Sequence, residues 1–132
     1  MSASGMTELG VDDCWDFLAD RPYGRLGYVL DGEVVIVPIN HGVDERRVVF
    51  ETGHGSKLVA LDDQATVAYE VDDIDEDEAT SVVVRGFVVP LSGSEALIGA
   101  GQVQPWITDA PVQVMAIVPT AVTGRRYLFA RG

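Results

Sequence analysis

An Asp-Gly pair, Asp31-Gly32, stands between two stretches of β pattern and forces them to be neighbours. The dipeptide marks a two-residue hairpin turn, because both central residues of such a turn need a left-handed backbone. On its near side Arg25–Leu30 alternates, with Leu26, Tyr28 and Leu30 on one face. On its far side Glu33–His41 is apolar on both faces, Val34 and Ile36 on one and Val35, Val37 and Ile39 on the other. A strand of that kind is covered on both sides, by a barrel interior and by something outside it. A turn near Asp44-Glu45 then leads into a third strand, Arg47–Glu51.

The remaining chain repeats this rhythm. Ala65–Val71, Ser81–Leu91, Val112–Val118 and Arg126–Ala130 carry β patterns, which makes six or seven strands, and an acidic stretch, Asp72–Glu78, separates two of them. Short, closely spaced strands with few helices predict a mainly β closed barrel rather than a parallel sheet. Val11, Cys14, Trp15 and Leu18 recur at helical spacing behind Asp12 and Asp13, which suit a helix N-terminus. Val11–Ala19 is therefore predicted as a helix closed before Pro22. A short helix is expected from Ser56 to about Leu61, and a weak one from Ser94 to Ile98 that Gly99 and Gly101 break. No repeat or linker divides the 132 residues, so 1–132 is one domain, with 1–7 expected to be poorly ordered.

Charge narrows the partners. Twenty-one acidic residues against nine basic ones give a net charge of -12. Such a surface repels phosphate backbones and anionic lipid, so neither nucleic acid nor a membrane is an expected partner. No apolar run approaches a membrane span, and Met1–Gly10 lacks the features of a secretory signal. A lone cysteine, Cys14, leaves no internal disulfide, which points to the cytoplasm. Lys57 is the one lysine, and it holds its place against the general field.

That lysine lies in Thr52-Gly53-His54-Gly55-Ser56-Lys57-Leu58. Two glycines let a backbone approach a ligand closely. Ser56 opens a helix whose first N–H groups have no internal partner, Thr52 and Ser56 add hydroxyls, and Lys57 adds charge. The segment has the parts of a phosphate cradle, and equally those of an ordinary turn with an N-cap serine. Pro38, inside Val35-Ile36-Val37-Pro38-Ile39-Asn40-His41, conflicts with a central strand because it lacks a ladder donor. Either its backbone borders a ligand, with Asn40 two residues on, or the strand is an edge or carries a bulge.

These runs, in order, resemble a known family. Gly24-Arg25-Leu26-Gly27-Tyr28, Val37–His41, Phe50–Gly53, Gly55–Leu58, Val67–Asp73, Val84-Arg85-Gly86 and Pro119–Arg125 together look like the flavin-binding split barrels related to pyridoxamine 5′-phosphate oxidase, over roughly residues 8 to 128. The resemblance implies a six-stranded antiparallel split barrel of Greek-key type, with a few short helices, that binds FMN at a homodimer interface. Val37, Pro38, Ile39 and Asn40 would run along the flavin ring, and Thr52, Ser56 and Lys57 would take its phosphate. Trp106, Arg125 and Arg126 would reach the flavin from the facing subunit. That subunit would also cover the outer face of Glu33–His41.

The implied activity is an FMN-dependent oxidoreductase acting on a small molecule, in which the flavin carries the electrons and the protein supplies position. The deazaflavin F420 is the close variant, and the scarcity of lysine with abundant Ala, Gly, Val and Asp points to a high-GC bacterium, where F420 is common. A non-catalytic flavin, F420 or haem binding or sensing module on the same fold is the alternative. The chain stops soon after Arg126 and has no aromatic near Val114-Met115, which leaves the substrate unassigned. Other residues have plainer roles. An EF-hand frame from Asp73 would place Glu78 and Val84 where Gly and Glu belong, so the acidic stretch reads as a solvated loop. His41 and His54 have no Cys or Glu at zinc-ligand spacing. Cys14 reads as core, and Arg25 and Arg85 as barrel-end salt bridges.

Overall fold

Both residues of the Asp31-Gly32 turn take positive φ, 52° and 80°, as the hairpin requires. They join β2 (Tyr23–Leu30) to β3 (Glu33–Asp44), which pair antiparallel from Leu30 opposite Glu33 to Tyr23 opposite Asn40. The computed structural model describes residues 5–53, 65–103 and 112–130. The other strands among the described residues are β1 (Gly5–Glu8), β4 (Arg47–Gly53), β5 (Thr66–Ile74), β6 (Glu78–Pro90) and β7 (Val112–Leu128). Two helices, α1 (Val11–Ala19) and α2 (Gly93–Gly101), accompany them.

The sheet runs β1-β7-β4-β3-β2-β5-β6, and β6 pairs back onto β7. Strands β2 to β7 thus close a ring of six, the expected antiparallel barrel, and β1 is a seventh strand added outside it. Gly5–Glu8 pair with Leu128–Arg125. The two stretches expected at 112–118 and 126–130 are a single strand that runs through Pro119 and Gly124. Pro119 is tolerated because it faces Gly86 where the register slips between Arg85 and Gly86. The strands approach so closely there that a Cβ on Gly86 would lie 2.0 Å from the Val118 carbonyl oxygen.

Core burial follows the two-residue period. Leu26, Tyr28, Ile39, Phe50, Val67, Tyr69, Val82, Val84 and Ile117 fill the interior, and α1 adds Cys14, Trp15 and Leu18. Each large apolar side chain so buried contributes about 1.5–3 kcal/mol. A second cluster, Val49, Leu91, Val103, Val114 and Ala116, lies against α2. The helix does not break at Gly99 as expected. That residue is buried on the face of α2 turned to the sheet, where even a Cβ would meet Leu91, Val114 and Val49 only at ordinary van der Waals distance. No helix among the described residues is long and apolar enough to cross a membrane.

Candidate functional site

β3 and β4 leave one hairpin and then part company. Their ladder runs from Asp44 opposite Arg47 to His41 opposite Phe50 and stops there. Beyond it, β3 keeps β2 as its partner while Glu51–Gly53 continue against Val114–Val112 of β7. Among the described residues the divergence opens a split, or cleft, between the ladders, with Val34–Asn40 on one lip and Glu51–Gly53 on the other.

Alternation gives that lip its chemistry. Successive residues of an antiparallel strand turn their N–H and C=O groups to opposite edges. His41 N–H donates to the Pro22 carbonyl at 2.9 Å, so Val35, Val37 and Ile39 also present main-chain groups to β2. Val34, Ile36 and Pro38 present theirs to the cleft. The N–H that proline lacks is therefore on the cleft side, where no ladder bond is lost. The conflict posed by Pro38 is resolved: among the described residues β3 is an edge strand along this stretch, and its edge borders the cleft. A flat ring with donors and acceptors along one side can meet such an edge as a further strand would, so the residues present fit a group of that shape.

Side chains follow the same period. Ile39 is buried and Val37 half-buried on the inside; Pro38 is exposed and Asn40 half-buried on the outside. Val34 and Ile36 are 76% and 67% exposed, so within one chain the outer apolar face of β3 is uncovered. Together with Gly27, Val29, Ala68 and Arg85 they line a shallow, mostly apolar hollow of about 290 Å³.

On the other lip Thr52 is half-buried and lies opposite Gln113, whose amide donates to the carbonyls of Leu91 and Val114 at 3.0 and 2.9 Å. Ser56, Lys57, His54 and Trp106, with the helix expected from Ser56, lie outside the described residues. Arg125 and Arg126 are exposed on the far half of β7, opposite Ser81 and Thr80 of β6 and Glu8 and Thr7 of β1. A hydrogen bond with Tyr127 and the nearby Glu8 carboxylate raise the Arg125 pKa. Roughly 40 Å of extended strand separates them from Gln113, so one chain does not bring these arginines to Thr52.

Below the hollow, Glu70 lies opposite Arg25 and accepts a hydrogen bond from Ser81 Oγ at 3.1 Å. Burial and the adjoining Asp72 carboxylate push its pKa up to about 7.

The sequence reading missed what lies behind the fork. His41 is only 3% exposed; its Nδ1 is 2.5 Å from Tyr69 Oη and its Nε2 is 2.8 Å from the Leu18 carbonyl oxygen. The two rings meet edge to face, with centroids 5.1 Å apart. Tyr69 Oη also lies 3.1 Å from the Ile39 carbonyl oxygen. Burial lowers the His41 pKa, against an opposing effect of the Leu18 carbonyl, and raises that of Tyr69. The imidazole is thus neutral near pH 7, with Nε2–H donating to Leu18. Glycine is required beside this pair, since a Cβ on Gly24 would come within 2.8 Å of the Tyr69 hydroxyl. A signal was available: His41 continues the inward series Val35, Val37, Ile39, and an inward histidine must find partners.

Known proteins agree with this architecture. The family model for pyridoxamine 5′-phosphate oxidase matches residues 10–126. An uncharacterised protein of Mycobacterium tuberculosis is 35% identical over 133 residues, spanning 95% of this chain and 88% of that protein. The solved structure of an FAD binding protein from Mycobacterium smegmatis is 35% identical with a TM-score of 0.82, covering 94% of this chain and 100% of its own. A Corynebacterium glutamicum structure named for pyridoxamine 5′-phosphate oxidase is 26% identical with a TM-score of 0.83, covering 95% and 100%. By sequence along most of its length, and by fold, the chain belongs to the pyridoxamine 5′-phosphate oxidase family.

Proposed function

We propose that this protein binds FMN in the split between β3 and β4, as a homodimer, and acts as a cytoplasmic flavin-dependent oxidoreductase on a small molecule. The observation that carries the reading is the edge of β3, whose main-chain groups at Ile36 and Pro38 pair with no other strand among the described residues. Val37, Pro38, Ile39 and Asn40 orient the ring. Thr52, Ser56 and Lys57 hold the phosphate, and the bound flavin supplies hydride or single-electron transfer. FAD, which the M. smegmatis relative is named for binding, shares the ring and the first phosphate, so the same residues serve either flavin.

The dimer reading is supported by the uncovered apolar face of Val29, Val34 and Ile36, which a second copy would bury. It is supported too by the distance of Arg125 and Arg126 from Thr52 within one chain. In the dimer these arginines and Trp106 come from the facing subunit. A module that holds a flavin, F420 or haem without turnover is the second reading. One observation favours it: along Val34–Asn40 and Glu51–Gly53, Glu51 is the one titratable side chain, so those stretches carry no acid–base pair.

The absorbance spectrum of freshly purified protein tests the cofactor class, since oxidised flavin and a haem Soret band are distinct. Lys57→Ala tests the site. Losing a charge-assisted contact should weaken FMN binding by roughly 1.5–3 kcal/mol in a fluorescence titration; unchanged affinity removes Lys57 from the site. Turnover with NADPH and an acceptor separates the enzyme from the module.

A further inference from the structure

Four polar groups form a chain behind the fork: the Leu18 carbonyl, His41, Tyr69 and the Ile39 carbonyl, with contacts of 2.8, 2.5 and 3.1 Å. The two carbonyls at its ends can only accept. With a neutral imidazole there are two protons for three contacts. Nε2–H is committed to Leu18, so the Tyr69 proton must go either to His41 Nδ1 or to the Ile39 carbonyl. A third proton, on Nδ1, satisfies every contact: Nδ1–H donates to Tyr69 Oη, and Oη–H donates to Ile39.

The choice bears on the cleft. The Ile39 carbonyl belongs to the same peptide group as the Asn40 N–H, which alternation turns away from β2 toward β4, beside the last β3–β4 pair, His41 opposite Phe50. A hydrogen bond to a carbonyl polarises its peptide and strengthens the donor at the other end. We propose that His41 and Tyr69 are positioning residues for the split: the Tyr69 hydroxyl clamps the Ile39–Asn40 peptide at the fork, and it does so more firmly when His41 carries a second proton. This rests on the reading that a flavin lies in the split.

Among the described residues, few groups face that proton. β5 contributes Tyr69, β2 the Gly24 backbone and α1 the Leu18 carbonyl. Asp20 and Arg21 of the α1–β2 connection line the cavity on the other side, with Gln102 after α2. Arg21 is already engaged, bonding Asp73 at 3.0 Å and lying over the Phe17 ring.

The test needs no cofactor at first. In ligand-free protein, the Asn40 amide resonance and the His41 ring resonances are followed by NMR from pH 8 to pH 5. The expected result is an Asn40 amide that moves downfield with the same midpoint as the His41 ring. In Tyr69→Phe the ring still titrates while the Asn40 amide stays still. In His41→Gln, whose side chain does not titrate between pH 5 and pH 8, the amide is flat. An Asn40 amide that follows His41 equally well in Tyr69→Phe overturns the proposal, as does a wild-type His41 that never titrates in the folded protein. FMN titrations over the same range add the second arm: binding tightens severalfold toward low pH in wild type and is pH-independent in Tyr69→Phe. No FMN binding at any pH, with the amide response intact, sinks the flavin reading and leaves the clamp standing.

Discussion

The two sides of this barrel treat their strand edges in opposite ways. On one side β6 pairs with β7 from Glu78 opposite Leu128 to Pro90 opposite Met115, and with β5 from Ile74 opposite Ala79 to Thr66 opposite Phe87. On the other, β3 and β4 pair only between Asp44–Arg47 and His41–Phe50 before they diverge. Unpaired strand edges are normally a liability that a barrel abolishes. Here the long β6 ladders hold the ring closed, and among the described residues two joints stay short: β3–β4, and β2–β5, which pairs only from Arg25 opposite Glu70 to Gly27 opposite Ala68. On the proposed function, stability and binding capacity fall to different strands.

The sharpest way to break this contrast is to hollow out the joint between the two sides. Phe50 is fully buried, opposite both His41 and Met115. Phe50→Ala should cost about 3–5 kcal/mol in urea unfolding, whereas Ile36→Ala, on a lip that is exposed within one chain, should stay within about 0.5 kcal/mol when measured on dissociated monomer. Equal losses would mean that the lip is as much a part of the core as the joint. Hydrogen exchange examines the edge itself. In ligand-free protein the Ile36 amide should exchange about 100-fold faster than that of Val35, one residue away but bonded to β2. Similar protection would show a partner along the cleft edge.

Glu70 sharpens the comparison from the closed side. Its carboxyl is raised from 4.5 to about 7 in the folded chain. Between those values the folded state binds the extra proton, so stability is full below about pH 4.5 and declines as pH rises through 7. After allowance for solvent screening, Glu70→Gln should be about 1 kcal/mol more stable than wild type at pH 8.5 and indistinguishable from it at pH 4. A gap that widens toward acid pH would reverse the assignment. The smallest effect is at the β3–β4 turn, where Glu45 and Arg46 hold φ of 51° and 56°. Glu45→Asn, a residue more at ease there, should add about 0.5 kcal/mol by thermal unfolding.

How much of this could be read from the chain depended on how local the cause was. The Asp31-Gly32 turn and the Val11–Ala19 helix carry their own signals within a few residues, and both came through with the right bounds. β7 did not, because Pro119 and Gly124 look like stops until the register slip at Gly86 shows where a proline can sit. Gly99 misled for a related reason: it is buried where α2 faces Leu91, Val49 and Val114, a setting that only the packed sheet defines. Of the site, the unusual place of Pro38 was legible, and so was the apolar outer face of Val34 and Ile36. The His41–Tyr69 pair was not, since its members are far apart in sequence and meet only after β3, β2 and β5 have assembled.

One buried atom has a practical use. The single thiol, Cys14, is wholly enclosed, and burial together with Asp13 raises its pKa. An alkylating reagent can reach it only after α1 has lifted off the barrel, and α1 also carries the Leu18 carbonyl that holds the His41 ring. The rate of alkylation is therefore a built-in clock for helix departure, and occupancy of the cleft should slow that clock if the cleft and the helix communicate through the imidazole.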